Sequence, residues 1–297
     1  MEVPTGILFI SLLIVPMLIC IGIMYFIKSF NEKRRIFPFD ISTTARTPGH
    51  SLISQIIDST WNVAFNVMFI FFSFVLPFAI AGFSFYIGIP VASLPTTIFI
   101  SICIFIFFGI KFLKEFTKLK QLRIGLEAEW AVGIKLNELQ QLGYKVFHDV
   151  QADNFNIDHL VVGANGVFAI ETKGRRKPLV KGKNKTRDKQ YNVLVKGTLL
   201  KFPTWQDTKS IEQAIRQAKW VSNWLTKSTG QDVHASAVLI IPGWFIERKE
   251  KPVIAVLPHN NLENTFPKLL GDQLDSATIE RICYQVEQRV KRGDDSL

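Results

Sequence analysis

Three side chains in the middle of the sequence could do chemistry together. Asp158 lies in Asn156-Ile157-Asp158-His159, and Glu171 and Lys173 lie in Ile170-Glu171-Thr172-Lys173. Both runs read as strands, where successive side chains alternate between faces. Glu171 and Lys173 therefore point one way, while Phe168 and Ile170 point the other way and pack. Only the turn residues Gly163, Asn165 and Gly166 mark the gap between the runs, so Asp158 can approach Glu171 across the ladder. Asp and Glu are hard oxygen ligands for Mg²⁺. Such a metal lowers the pKa of a bound water and offsets charge on a phosphate. A neighbouring lysine can orient that water or stabilise the pentavalent transition state. The set suits phosphodiester hydrolysis; its plainer reading is a surface ion pair on a strand.

These residues need a scaffold, and the local patterns supply one. Gly125 to Leu142 reads as a helix ended by Gly143. Strand-like runs follow at Tyr144–Val150, Ile157–Val162 and Val167–Lys173, then a hairpin over Tyr191–Phe202 around Gly197. Asp207–Leu225 is an amphipathic helix with Ile211, Ala214, Ile215, Ala218, Val221 and Leu225 on one face. Ala235–Ile241 and Val253–Leu257 are apolar runs of the kind buried on both faces of a sheet, and Ile279–Val290 is a last helix. The order predicts a mixed sheet flanked by helices, an α/β domain.

The motifs carry a resemblance. Gly125-Leu126-Glu127-Ala128-Glu129 opens a helix, Ile157-Asp158-His159-Leu160-Val161-Val162 follows, and then Gly166-Val167-Phe168-Ala169-Ile170-Glu171-Thr172-Lys173. This order and spacing resembles the nuclease-related domain family, NERD, of the PD-(D/E)xK nuclease superfamily with its restriction-endonuclease-like fold. The close part covers Gly125 to about Lys173 and weakens through the helix near Gln213. The resemblance implies Glu129 as the helix-borne acid, with Glu129, Asp158 and Glu171 as metal ligands. It implies Lys173 as the catalytic lysine and Gln213 as a glutamine beside the site, with Gln217 one turn on. Where the family usually has Gly before Glu129, this chain has Ala128. The implied cofactor is Mg²⁺, with Mn²⁺ as a substitute. Glu127 reads better as a helix-terminal charge than as a ligand. His159 reads as structural, because one histidine without a partner makes no metal site.

The first third of the chain is built for another solvent. Of 297 residues, 48% are hydrophobic and 25 are Phe, and the apolar excess sits at the N-terminal end. Spanning a bilayer takes about 20 apolar residues as helix. Residues 6–27 carry no charge, and the uncharged stretch 63–110 is broken by Gly88, Pro90 and Pro95. Three transmembrane helices are expected, at about 6–27, 63–86 and 91–110, forming an all-α membrane region over 1–110 with a cytoplasmic loop at 28–62. A basic juxtamembrane helix, 111–124, then leads to the nuclease-like domain, 125–297. A cleaved signal peptide fits poorly, since no Lys or Arg precedes the first run. Lys28, Lys33, Arg34, Arg35 and Arg46 after the first span, and Lys111, Lys114, Lys118, Lys120 and Arg123 after the third, put both flanks inside. The expected placement is the inner, cytoplasmic membrane, with the N-terminus outside and the domain in the cytoplasm. The spans hold no charges, which leaves a transport pathway without support. Cys20, Cys103 and Cys283 have no knuckle or disulfide spacing.

The net charge of +10 concentrates after the Glu-x-Lys strand. Arg175, Arg176, Lys177, Lys181, Lys183 and Lys185 could follow a phosphate backbone into the site. They could instead touch anionic headgroups or be a solvated loop. Trp220 and Trp224 share a helix face with Gln213 and could stack on bases, though tryptophan on a helix more often packs. The expected partners are the bilayer and DNA, with RNA left open, and association of copies through the spans. Two roles fit a nuclease held at a membrane: defence against incoming phage or plasmid DNA, and handling of DNA in uptake or segregation. The alternative is a non-catalytic membrane-tethered module binding nucleic acid or protein.

Overall fold

The computed structural model describes residues 15, 18–27, 29, 44–88, 94–177 and 191–291. The chain divides into two units. One comprises Met1–Phe39, Ser54–Gln121 and Asp295–Leu297, and the other Asp40–Ile53 and Leu122–Asp294.

Two long helices, α1 (His50–Ile87) and α2 (Leu94–Asn137), supply most of the described part of the first unit, through residues 54–87 and 94–121. Within it they run antiparallel: Phe69 stacks on Phe108 at 4.4 Å, Phe74 meets Phe105 edge-on at 5.3 Å, and Ser59 Oγ donates to Glu115 at 2.9 Å. Both are long and apolar enough to cross a membrane. The described protein leaves Phe71, Phe78, Phe85, Phe99 and Phe107 exposed on them. A helix in water needs a polar face, and the uncharged segments of these two, 63–87 and 94–110, carry no charged side chain to make one. Among the described residues there are two such helices rather than the three expected. Leu18–Ile27 is helical and apolar but short, and the remainder of the first expected span lies outside the described residues.

Two further expectations are corrected. The first long helix begins at His50, so residues 50–62 are helical where a connecting loop was expected. No new helix starts at Gly125 either: α2 runs from Leu94 through Asn137, and a 3-10 turn, Glu138–Leu142, closes it before Gly143. The reason is local. Between Lys111 and Leu136 there is no proline, and a glycine inside a helix costs only about 1 kcal/mol relative to alanine.

The second unit is built on a mixed sheet. Its strands are β1 (Lys145–Gln151), β2 (Asn156–Gly163), β3 (Gly166–Thr172), β7 (Ala235–Ile240) and β9 (Ala255–Leu257), in the order β1-β2-β3-β7-β9. The first three pair antiparallel, and β3, β7 and β9 pair parallel. Helices α3 (Lys209–Thr229) and α4 (Ser276–Val290) cover one face. There Leu160, Val162, Val167 and Ala169 meet Ala218, Val221, Leu225, Ile282 and Val286. On the other face Val161, Phe168 and Ile170 pack on Val132 and Leu136 of α2. Burial on both sides explains why β3 reads as an almost unbroken apolar run. A smaller sheet joins β4 (Asn192–Lys196), β5 (Leu199–Lys201), β6 (Gln206–Asp207) and β8 (Phe245–Arg248) in the order β6-β5-β4-β8. The expected hairpin around Gly197 is β4 and β5, which pair with Lys196 against Leu199. The α/β class and helix-flanked mixed sheet agree with the sequence reading.

Candidate functional site

The site forms where β2 and β3 part. The last paired residues are His159 and Ile170, so the register sets Asp158 across from Glu171. One Asp158 oxygen accepts the Thr172 N–H at 2.7 Å, closing the backbone donor that the ladder leaves open. Lys173 extends the line toward β7, its own N–H bonding Ile240 O at 2.9 Å. Its Nζ lies 2.5 Å from Glu171 Oε1 and donates to Gln213 Oε1 of α3 at 3.0 Å. Gln217, one turn further, donates to Asn156 O at 3.3 Å. Gly174 then passes close to α2: a Cβ there would stand 2.6 Å from Ile124 O and 2.9 Å from Ala128 Cβ. This close approach brings the strand end beside the helical turn that carries Glu129.

Electrostatics tie the acids together. Glu129 is 8% exposed. Its carboxyl is pushed up to about 8, first by burial and then by the charges of Asp149 and Glu171; Lys173 and the Gly49 backbone N–H oppose this. Asp158 keeps some exposed surface, yet protein atoms crowd its carboxyl. Burial, then Glu171 and Glu129, hold it well above the usual carboxylate range. Like charges at short range disfavour ionisation, and a cation reverses that preference.

The oxygen donors suit a hard divalent cation. Glu171 Oε2 is buried without a hydrogen-bond partner in the protein, an unmet acceptor of the kind a metal would use. Against this, among the described residues no three His, Cys, Asp or Glu side chains already form a metal-holding group. Glu171 Oε1 faces the Lys173 ammonium instead.

Residues 124–242 match the family model NERD, the nuclease-related domain. No curated protein and no solved structure gives a match to the chain. The matched stretch runs from Ile124 in α2 through the two residues after β7, and Glu129, Asp158, Glu171, Lys173 and Gln213 all lie inside it. These five are brought into one neighbourhood by the contacts and charges just described.

The basic residues behave differently. Arg175 is ion-paired with Asp207 at 2.7 Å, and its carbonyl accepts the Trp244 indole N–H at 3.1 Å. Lys177 sits over the Tyr191 ring at 4.3 Å. Arg176 is exposed. Lys181, Lys183 and Lys185 lie outside the described residues. Trp220 and Trp224 pack rather than stand open: they stack on each other at 5.5 Å, and Arg289 lies over both rings at 4.9 Å.

Sequence reasoning missed Asp149, and it missed the partner of His159. In β1, His148 pairs with His159 and Val150 with Ile157, so Asp149 lies across from Asp158. The row Asp149, Asp158, Glu171 therefore crosses three adjacent strands. An acid inside the apolar run Val146–Val150 was the available signal. His159 was read as a histidine without a partner, and the structure corrects this: its Nδ1 lies 2.8 Å from His148 Nδ1. Asn137 Oδ1 lies 3.0 Å from His148 Nε2, which makes that nitrogen the donor and His148 Nδ1 the acceptor from His159.

Proposed function

We propose that this chain is a membrane-anchored, metal-dependent nuclease that hydrolyses phosphodiester bonds of DNA. The observation that carries the reading is the meeting of Asp158, Glu171, Lys173 and Gln213 at the fork of β2 and β3, with Glu129 in the same field of charge. Glu129, Asp158 and Glu171 would hold Mg²⁺, or Mn²⁺ in its place. Such an ion supplies Lewis acidity toward the phosphate and an acidified water. Gln213 holds the Lys173 ammonium at the strand end. From there the lysine orients the attacking water and offsets charge developing on the phosphate oxygens. The exposed Arg176 and the basic run 181–187 supply attraction for the phosphate backbone. The two long apolar helices support anchoring in a membrane, which we take to be the inner one. Defence against incoming phage or plasmid DNA gives such an enzyme a place to act.

The test is cleavage by the full chain in detergent, using supercoiled plasmid, linear duplex, single-stranded DNA and RNA, with Mg²⁺, Mn²⁺ or EDTA. Metal-dependent cleavage of DNA that disappears in Glu171→Ala/Lys173→Ala is the expected result. Retention of nucleic-acid binding with no cleavage of any substrate would replace this reading with a tethered binding module. The direct Lys173–Glu171 pair, in place of a ready metal group, is the observation favouring that second reading.

A further inference from the structure

The acids of the site are steadied by a segment far from them in sequence and outside the nuclease-related match. Residues 44–53 belong to the same unit as β1 and the C-terminal part of α2. Ala45 bridges to Lys291, and the Arg46 N–H donates to Val290 O at 2.9 Å. The Trp130 indole, one residue beyond Glu129, donates to Pro48 O at 3.0 Å. Pro48 also lies where a Cβ on Gly133 would be, 2.5 Å from the nearest proline carbon. The backbone at Gly49 takes φ +71°, and a side chain there would run into Leu126. Only glycine meets both demands.

The segment ends on two acids. Asp149 is 1% exposed and adopts φ +49°, which is uncommon outside glycine. Its carboxylate is fully engaged: Oδ2 by Arg46 Nη1 at 3.1 Å, and Oδ1 by Ser51 Oγ at 2.7 Å and Asn156 Nδ2 at 3.1 Å. Both members of the Arg46–Asp149 pair are nearly sealed from solvent. Gly49 turns its backbone N–H onto the Glu129 carboxylate.

We propose that residues 45–53 are a positioning strap for the nuclease site: Arg46 and Ser51 lock Asp149, and Gly49 fixes Glu129 on its helix. The proposal rests on the nuclease reading and makes the catalytic unit larger than residues 124–242. Asp149 is a positioning residue, because its oxygens are spent on the strap and on Asn156. Removing Arg46 leaves Asp149 buried without its counter-charge, in the same field of charge as Glu129. Sites of this kind lose activity when a supporting group shifts a ligand by a fraction of an ångström.

The experiment uses the full chain in detergent with plasmid DNA and Mg²⁺, and follows amide hydrogen exchange in the same samples. Arg46→Ala should lower kcat about 10–100-fold with KM within about twofold, as expected when orientation rather than substrate binding is lost. Arg46→Lys should recover part of the rate. Ser51→Ala, a milder change, should lower kcat in the same direction. In the wild type, amides 49–53 should exchange slowly, and Arg46→Ala should speed exchange at 126–130. A rise in KM with unchanged kcat would make Arg46 a substrate contact and overturn the proposal. Open-chain exchange of 45–53 in the wild type would overturn it whatever the activity. If the wild type cleaves nothing while 45–53 are protected and coupled to 126–130, the nuclease reading fails and the docked strap stands.

Discussion

Lys173 has two partners at once, Glu171 on its own strand and Gln213 on α3. A lysine placed this way is sensitive to truncation, because alanine leaves the Glu171 carboxylate without its ammonium partner. Lys173→Ala and Glu171→Gln should each reduce cleavage by about 100-fold or more, by loss of transition-state charge stabilisation. Gln213→Ala should cost less, about 10-fold, since it removes an orienting group. Initial rates on plasmid DNA with Mg²⁺ measure both. A Lys173→Ala enzyme at wild-type rate would remove lysine from the mechanism. Asp158, Glu171 and Lys173 were legible in the sequence because strand alternation alone puts Glu171 and Lys173 on one face. Arg46 and Asp149 were not, because their contact closes over 103 residues and depends on a backbone conformation that residue type does not announce.

At the scale of elements, the pair of histidines joins β1 to β2 beneath the site. Burial holds His148 down to about 4 from its ordinary 6.5. Its facing groups are His159 on β2 and Asn137 on α2. Below about pH 6.5 the unfolded chain therefore takes up a proton that folded His148 refuses, so its contribution to stability is present above that pH and fades as pH falls. Other buried groups titrate as well, so the difference between wild type and His148→Asn isolates this one. Urea midpoints should show the wild type ahead at pH 7.5, and its lead should shrink by on the order of 1 kcal/mol by pH 5. A lead that does not change with pH would mean that folded His148 takes up its proton as readily as the unfolded chain does. Gly133→Ala tests the seam between α2 and Pro48. Overpacking there should destabilise by about 1–3 kcal/mol, read from the same urea curves. The strands of the larger sheet were legible to within a residue or two, since Leu160–Val162 and Val167–Ile170 are apolar runs bounded by turn residues; β6 and β8, short and mostly exposed, were not. The continuation of α2 through Gly125 was not, because a single glycine marks a boundary only when packing agrees, and here it does not.

For the whole molecule, the chain's division by contacts differs from its division by composition. Hydropathy separates residues before 111 from those after, whereas Asp40–Ile53 group with the C-terminal unit. A fragment cut at Lys111 keeps every residue of the nuclease-related match but strips Asp149 of Arg46 and Ser51. Leaving a buried charge unpaired costs about 3–5 kcal/mol. The fragment should therefore unfold at lower urea than the same unit in the full chain and cleave poorly. A fragment with full activity would show that the strap is dispensable. Orientation is checked separately: in sealed right-side-out vesicles the C-terminal unit should resist added protease, and cleavage there would reverse the proposed topology.

The strap also has a consequence for how the protein is made. A ribosome releases residues 45–53 first, then the two long apolar helices, and β1 to β3 only afterwards. The segment that steadies Glu129 has no docking surface until the last part of the chain has been synthesised. By then both apolar helices have left the ribosome and met whatever membrane receives them. A truncated or prematurely released product carries the strap without the acids, and an internal start beyond α1 carries the acids without the strap. Neither is the assembled site. The order of synthesis thus ties the appearance of the complete, strapped acid cluster to a chain whose two long apolar helices have already been made.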